Sequence, residues 1–143
     1  MEESVNICSI IRDTFAIKKQ DIKTVSPLTL AYIGDSEFDL IIRTIVVEQG
    51  NCPVNNMHKK VSEIVKAHGQ VEMYQAIQDI LTEEECAVFK RGRNAKSYTT
   101  AKNATKIDYR MATGYEALLG YLYLNDKMDR VLELVKIGMN NFS

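Results

Sequence analysis

Proline is scarce in this 143-residue chain, at two residues, and glycine numbers only seven. So few breakers leave long helices unobstructed and argue against an all-β fold built on frequent tight turns. The three cysteines (Cys8, Cys52 and Cys86) are odd in number and widely spaced, with no CxxC and no histidine at metal-ligand spacing. That argues against a disulfide framework and a zinc cluster, and for a reducing, cytoplasmic setting. Cys8 and Cys86 fall at apolar helical positions and are expected in the core. No apolar run approaches the roughly 18 residues that span a bilayer, so no membrane association is expected. The N-terminal MEESVNICSIIRD carries acids where a secretory signal needs a basic region. No GxxxxGK[ST] occurs, which leaves NTP binding by a P-loop unsupported. With only His58 and His68 present, no nucleophile for a histidine-based triad can be named.

The length suits one domain, residues 1–143, with a real core. Hydrophobic residues at 45% and charged residues at 26% are ordinary for a soluble globular chain. A formal net charge of −1 would discourage a nucleic-acid partner, but the distribution matters more than the total. KRGRNAKSYTTAKNATK, from Lys90 to Lys106, holds six basic residues and no acid, directly after the acidic Glu83–Glu85. The charge is segregated.

Helical periodicity runs nearly throughout, and the expected fold is an all-α, single-domain helical bundle. Val5, Cys8, Ile11 and Phe15 form one stripe. Ser26-Pro27 opens a helix running to about Val47, with Ser26 as N-cap and Pro27 at its first position. A helix from Asn55 or Asn56 to Gly69 turns Val61, Ile64 and Val65 inward. The next places Val71, Tyr74, Ile77 and Ile80 or Leu81 inside. Thr82 and Glu85 form a capping box for a short helix carrying Cys86 and Phe89 and ending at Gly92. The basic stretch that follows reads as an exposed loop. Asp108 then opens a helix containing Glu116, and Asp126 caps a last helix with Met128, Val131, Leu132 and Val135 inward.

Two acids fall on faces that should pack. Asp35 shares its helical face with Leu28, Ala31, Phe38 and Ile42, and Glu116 shares its own with Ala112, Leu119 and Tyr123. An ionised carboxylate on an apolar face costs about several kcal/mol unless a cation or donors satisfy it. A chain that tolerates this twice points to a pair holding a metal ion. Hard oxygen ligands without a Cys/His cluster favour Mg²⁺, with Mn²⁺ able to substitute. Beside a basic segment, such an ion is the usual machinery of phosphodiester hydrolysis. The ordinary counterparts are an ion pair at the edge of a packed face and a solvated basic surface. Gly34 and Gly120 read as close helix crossings, Tyr121 and Tyr123 as core or interface, and His58-Lys59-Lys60 as a solvated face.

Taken together, LAYIGDSEFDLIIR, HKK, LTEEECAVFKRGRNAKS and YRMATGYEALLGYLYL resemble, in order and at natural spacing, the successive blocks of Mini-ribonuclease III. That family is a ribonuclease III catalytic domain without the separate double-stranded-RNA-binding domain. The resemblance covers about Ser26 to Leu134, and the short remainder leaves no room for such a domain. It implies an all-helical homodimer whose two active sites share one cleft and nick opposite strands of an RNA duplex, leaving a 5′-phosphate and a 3′-hydroxyl. It implies maturation of precursor ribosomal RNA, with a ribosomal protein as an open further partner. Asp35 matches the metal-binding Asp of the ribonuclease III signature, and Glu116 the Glu that shares the metal. Ala31 and Thr113 stand where full-length ribonuclease III has two further acids, a thinning that reads as subfamily character. Where relatives read GDAV[YF]E this chain has GDSEFD. Asp39 replaces a Glu, one turn after Asp35, and is expected to accept hydrogen bonds behind the metal pair. Glu37 replaces a usually apolar residue. Lys90, Arg91, Arg93, Lys96 and Lys102 are the expected phosphate contacts, giving shape-based affinity for duplex RNA. The rival readings are a non-catalytic RNA-binding or ribosome-assembly module of the same fold, and a helical protein-interaction domain. The first is disfavoured because both acids are retained, and the second explains neither the acids nor the segregated charge.

Overall fold

The computed structural model describes residues 6–95 and 105–142. Among them there is no strand, and seven α-helices follow in order: α1 (Ile7–Thr14), α2 (Pro27–Glu48), α3 (Val54–Val65), α4 (Ala67–Ile77), α5 (Glu83–Asn94), α6 (Lys106–Leu124) and α7 (Met128–Asn140). Short 3₁₀ turns at Ile22–Thr24 and Gln78–Ile80, not foreseen from the periodicity, lead into α2 and α5. The all-α expectation holds. The strongest local signals also hold. The Ser26 hydroxyl accepts from the Thr29 amide with Pro27 at the first position of α2. Thr82 and Glu85 close their capping box in both directions at 3.1 and 2.9 Å.

Several boundaries differ. The expected helix to Gly69 stops at Val65, because Lys66 adopts an extended ψ of 162° and α4 starts immediately after it. Gly69 lies inside α4, where a Cβ would stand 2.3 Å from the Ile64 carbonyl oxygen, so the corner closes only around glycine. α5 continues past Gly92 to Asn94, which puts Arg93 on a helix rather than in a loop. The cap of α6 is Thr105, whose hydroxyl accepts from the Asp108 amide at 3.0 Å. Asp126 does not cap α7. It sits at φ +60°, and Arg12 donates to it at 2.5 Å, tying α1 to the α6–α7 turn.

α6 is the axis of the bundle, with α2, α4 and α5 packed around it and α7 closing over α4. Its Tyr115, Leu118, Leu119 and Leu122 are almost wholly buried within one copy of the chain. The apolar GYEALLGYLYL segment therefore needs no second subunit to cover it, and Tyr121 is core as expected. Leu28, Tyr32 and Leu40 of α2 are the apolar side chains of that helix that do face outward, together with Val47. Elsewhere the inward faces shift by a residue or so. Leu134 rather than Leu132 is buried in α7, Met73 and Val88 join the core, Cys86 is only half-buried, and α1 buries Cys8 alone while Ile11 and Phe15 stay exposed.

The α2–α6 crossing is set by two glycines. A Cβ on Gly34 would lie 1.8 Å from the Glu116 carbonyl oxygen, and one on Gly120 would lie 2.0 Å from the Leu30 carbonyl oxygen. Backbone meets backbone at both points, so no side chain can swing aside. The α5–α6 contact also closes on glycines, here against side chains, with Gly92 against the Ala117 methyl and Gly114 against the Phe89 ring.

Glu37 is the buried acid of α2. It is 8% exposed, and neither carboxylate oxygen has a hydrogen-bond partner among the described residues. Burial pushes its carboxyl from the ordinary glutamate value up to about 8, so it is carried neutral in the core at neutral pH. The Tyr115 hydroxyl is buried and has no partner among the described residues either.

Two predictions follow from this packing. Gly34→Ala or Gly120→Ala should cost about 3 kcal/mol or prevent folding, because the two helices must separate. Gly50→Ala, at φ +128° with open space around it, should cost about 1–3 kcal/mol from backbone strain alone and still fold. Urea titrations of the three variants check the contrast. For Glu37 the folded pKa lies above the unfolded one, so its contribution is intact below about 4.5 and is lost as pH rises towards 8. Glu37→Leu should therefore stabilise the protein more at pH 8 than at pH 5, by up to about 1.4 kcal/mol for each pH unit crossed. Equal gains at both pH values would contradict this.

Candidate active site

The glycine crossing decides where the two singled-out acids go. Gly34 touches the carbonyl of Glu116 itself, and Asp35 is the next residue of α2. The side chains of Asp35 and Glu116 consequently face each other across the crossing, near enough for the Asp35 carboxyl to raise the proton affinity of Glu116. Asp35 is not packed, contrary to its helical face. It lies at the edge of the buried arc of α2, and although Ala31 and Ile42 on the same edge are buried, Asp35 is open to solvent. Leu28 is exposed too. Glu116 is half-buried. Its carboxyl is pushed up to about 9, first by desolvation and then by the Asp35 carboxyl, with the Gln70 amide pulling the other way.

Among the described residues no cation pairs with either acid, and no third Asp, Glu, His or Cys completes a metal-ligating cluster. Ala31 and Thr113 are buried, and the Thr113 hydroxyl is spent on the Tyr109 carbonyl at 2.9 Å. The site is thus two mutually repelling carboxylates with an open side. That donor set fits Mg²⁺ or Mn²⁺, which is commonly held by one or two carboxylates with water and phosphate filling the other positions. It does not fit zinc, which needs more nitrogen and sulfur ligands.

Asp39 is placed differently from its expected role. Its carboxylate accepts from Arg43 Nε at 2.8 Å along the outer side of α2, in an ordinary i,i+4 pair. One polar residue beside the acid pair escaped the sequence reading. Gln70, 3% exposed on α4, donates from Nε2 to Glu116 Oε2 at 3.4 Å and to the Val65 carbonyl at 2.8 Å. Its signal was an amide on the same face as Met73 and Ile77, the same kind of anomaly that singled out the two acids.

The basic residues arrive on α5. Gly92 packs against Gly114 and Ala117, which fixes the last turn of α5 on the same helix that carries Glu116. Lys90 and Arg91 are exposed there. Arg93 is half-buried, with its guanidinium 5.9 Å from the centre of the Phe89 ring and its Nε donating to Asn94 at 3.2 Å. The acids Glu83–Glu85 at the start of α5 and the bases at its end also complement the helix dipole. Lys96 and Lys102 lie outside the described residues. His58, Lys59 and Lys60 are exposed on α3, as expected of a solvated face.

Comparison with known proteins agrees with this architecture. Residues 28–127 match the Ribonuclease III domain family. A Mini-ribonuclease 3 of Clostridium tetani is 50% identical over 85% of this chain and 82% of its own length. A Mini-ribonuclease 3 of a Thermoanaerobacter strain is 43% identical over 97% of this chain and 96% of its own. The crystal structure of a Fusobacterium nucleatum protein superposes with a TM-score of 0.76 at 30% identity, covering 85% of this chain and 97% of that one. With two carboxylates brought together by a backbone-tight helix crossing and a basic helix end packed on α6, the chain belongs to the ribonuclease III family, among the Mini-ribonuclease 3 proteins, and is an endoribonuclease.

Proposed function

We propose that this protein is a Mg²⁺-dependent endoribonuclease that cleaves double-stranded RNA, with precursor ribosomal RNA as its substrate in the cytoplasm. The observation that carries the reading is the meeting of Asp35 and Glu116 with no cation of the described residues paired to either. Two carboxylates in contact repel, and the half-buried one is forced towards its neutral form. A divalent ion reverses both costs, which is the physical reason to keep such a pair. When bound there, Mg²⁺, or Mn²⁺ in its place, supplies the acidity of a coordinated water and neutralises charge on the scissile phosphate.

The chain's own groups do the rest. Asp35, open to solvent, and Glu116, half-buried on α6, would hold the ion between them. Lys90, Arg91 and Arg93 on the last turn of α5, with Lys96 and Lys102 beyond it, contact backbone phosphates. Such contacts read the shape of an A-form duplex rather than its base edges. A homodimer places two such sites on one duplex, one for each strand. The outward Leu28, Tyr32 and Leu40 of α2 supply the apolar surface for it, in place of α6, which is already buried. The whole of residues 1–143 acts as one domain. Among the described residues no helix is long and apolar enough to cross a membrane.

Two tests separate chemistry from binding. Asp35→Asn and Glu116→Gln keep shape and remove charge, so each should lower cleavage of a long RNA duplex by about three orders of magnitude or more at ordinary Mg²⁺, while duplex affinity in chelator stays within about twofold. Metal-free melting of Glu116→Gln should equal or exceed that of wild type, because a repelled carboxyl is gone. Variants that cut normally would falsify the metal-pair reading. Charge reversal at Arg91 or Arg93 should weaken duplex binding by about tenfold without altering the melting temperature, and wild-type affinity should fall steeply between 50 and 200 mM salt, roughly as expected for several phosphate contacts. Affinity indifferent to both would make the end of α5 a merely solvated surface.

A further inference from the structure

We infer that Gln70 is a positioning residue for the active site, holding Glu116 in the orientation that receives the divalent ion. The inference rests on the reading of Asp35 and Glu116 as the metal-binding pair and adds a residue that no feature of the GDSEFD or GYEALLGYLYL blocks announces.

The argument starts at the corner between α3 and α4. Lys66 breaks the helix, leaving the Val65 carbonyl at the end of α3 without a helical donor. Gly69 lets the chain fold back tightly enough for α4 to begin at once, and Gln70 falls in its first turn with its amide turned onto that carbonyl. The 2.8 Å contact requires a donor, so nitrogen and not oxygen must face Val65. This settles which way the amide is turned, since the opposite orientation would set its oxygen against both the Val65 carbonyl and the Glu116 carboxylate. With the nitrogen fixed, its second N–H reaches Glu116 Oε2 at 3.4 Å. The cost is visible in the same residue. Gln70 Oε1 is fully buried and has no partner among the described residues. An amide that gives up its acceptor to keep a neutral donor on a carboxylate is placed by the donor's requirements.

The choice of donor also matters. A lysine or arginine at this position would neutralise Glu116 and compete with a metal ion for it. Gln70 orients the carboxylate without supplying charge, and leaves the negative charge of the pair for the cation. Groups that orient a metal ligand in this way commonly change metal affinity or activity by about 10–100-fold when removed.

The test is Mn²⁺ binding to the full-length, RNA-free protein by calorimetry, well below the melting temperature. Gln70→Leu should bind Mn²⁺ about tenfold or more weakly, and raise the metal concentration for half-maximal cleavage in proportion, while the KM for duplex RNA at saturating metal stays unchanged. A purely structural role at the α3–α4 corner would lower the melting temperature and leave Mn²⁺ affinity within twofold of wild type, and that result overturns the inference. Should Gln70→Leu not fold, the wild-type protein decides. The side-chain amide NMR signals of Gln70 should shift on Mg²⁺ addition and should not shift in Asp35→Asn, and their indifference to Mg²⁺ in wild type overturns the inference equally. Asp35→Asn and Glu116→Gln identify which idea has failed. If they too retain wild-type Mn²⁺ affinity, the metal pair itself is wrong and Gln70 falls with it, whereas loss in those two with retention in Gln70→Leu removes Gln70 alone.

Discussion

The backbone contact between α2 and α6 is the constraint from which the rest of this structure descends. Gly34 lies against the Glu116 carbonyl and Gly120 against the Leu30 carbonyl, so two long helices approach closer than any side chain would allow. Their positions are fixed by atoms that cannot change rotamer. On the proposed reading, a carboxylate pair that grips a small cation with strict geometry needs this kind of stiffness, because a displacement of an ångström would separate the ligands. The glycines that set the packing stand next to Asp35 and one turn beyond Glu116. Stability and chemistry thus share the same few residues.

Around that axis the helix ends are arranged by electrostatics. α5 starts with three acids and ends with lysine and arginines, which suits its dipole, and its glycine contact fixes the basic end against α6. Charge of each sign is thus gathered locally in a chain of nearly neutral total, and such local fields rather than the net charge govern encounters with charged partners. The corner at Lys66 adds a neutral amide from a third helix, so the Glu116 carboxylate is approached from α2 by Asp35 and from α4 by Gln70.

The same core carries a burden that the active site does not explain. Glu37 is buried with no partner among the described residues, two positions from Asp35 and facing another way. It survives because burial keeps it protonated at neutral pH, which exchanges a charge penalty for the smaller one of an unpaired polar group. The stability of this bundle is in that respect lower than its apolar packing would permit.

The sequence by itself determined the features that depend on neighbours along the chain. The all-α class followed from helical periodicity and few breakers, and the starts of α2 and α5 from Ser26-Pro27 and the Thr82–Glu85 box, because a cap is satisfied within one turn. The family followed from ordered motif blocks, and Asp35 and Glu116 stood out as acids on apolar stripes. Tertiary structure decided whatever depended on distant chain. The break at Lys66 was masked by the stronger glycine signal at Gly69, which is needed inside a helix for a close approach that periodicity cannot register. Asp35 proved exposed and Glu37 buried because the local cover over a helix face, and not its pattern, fixes burial. Asp39 turned to Arg43, Asp126 to Arg12, and Gln70 to Glu116, each choosing a partner by proximity in the folded chain. A sequence can show that a polar side chain is out of place, but only the packed helices show what it is placed against.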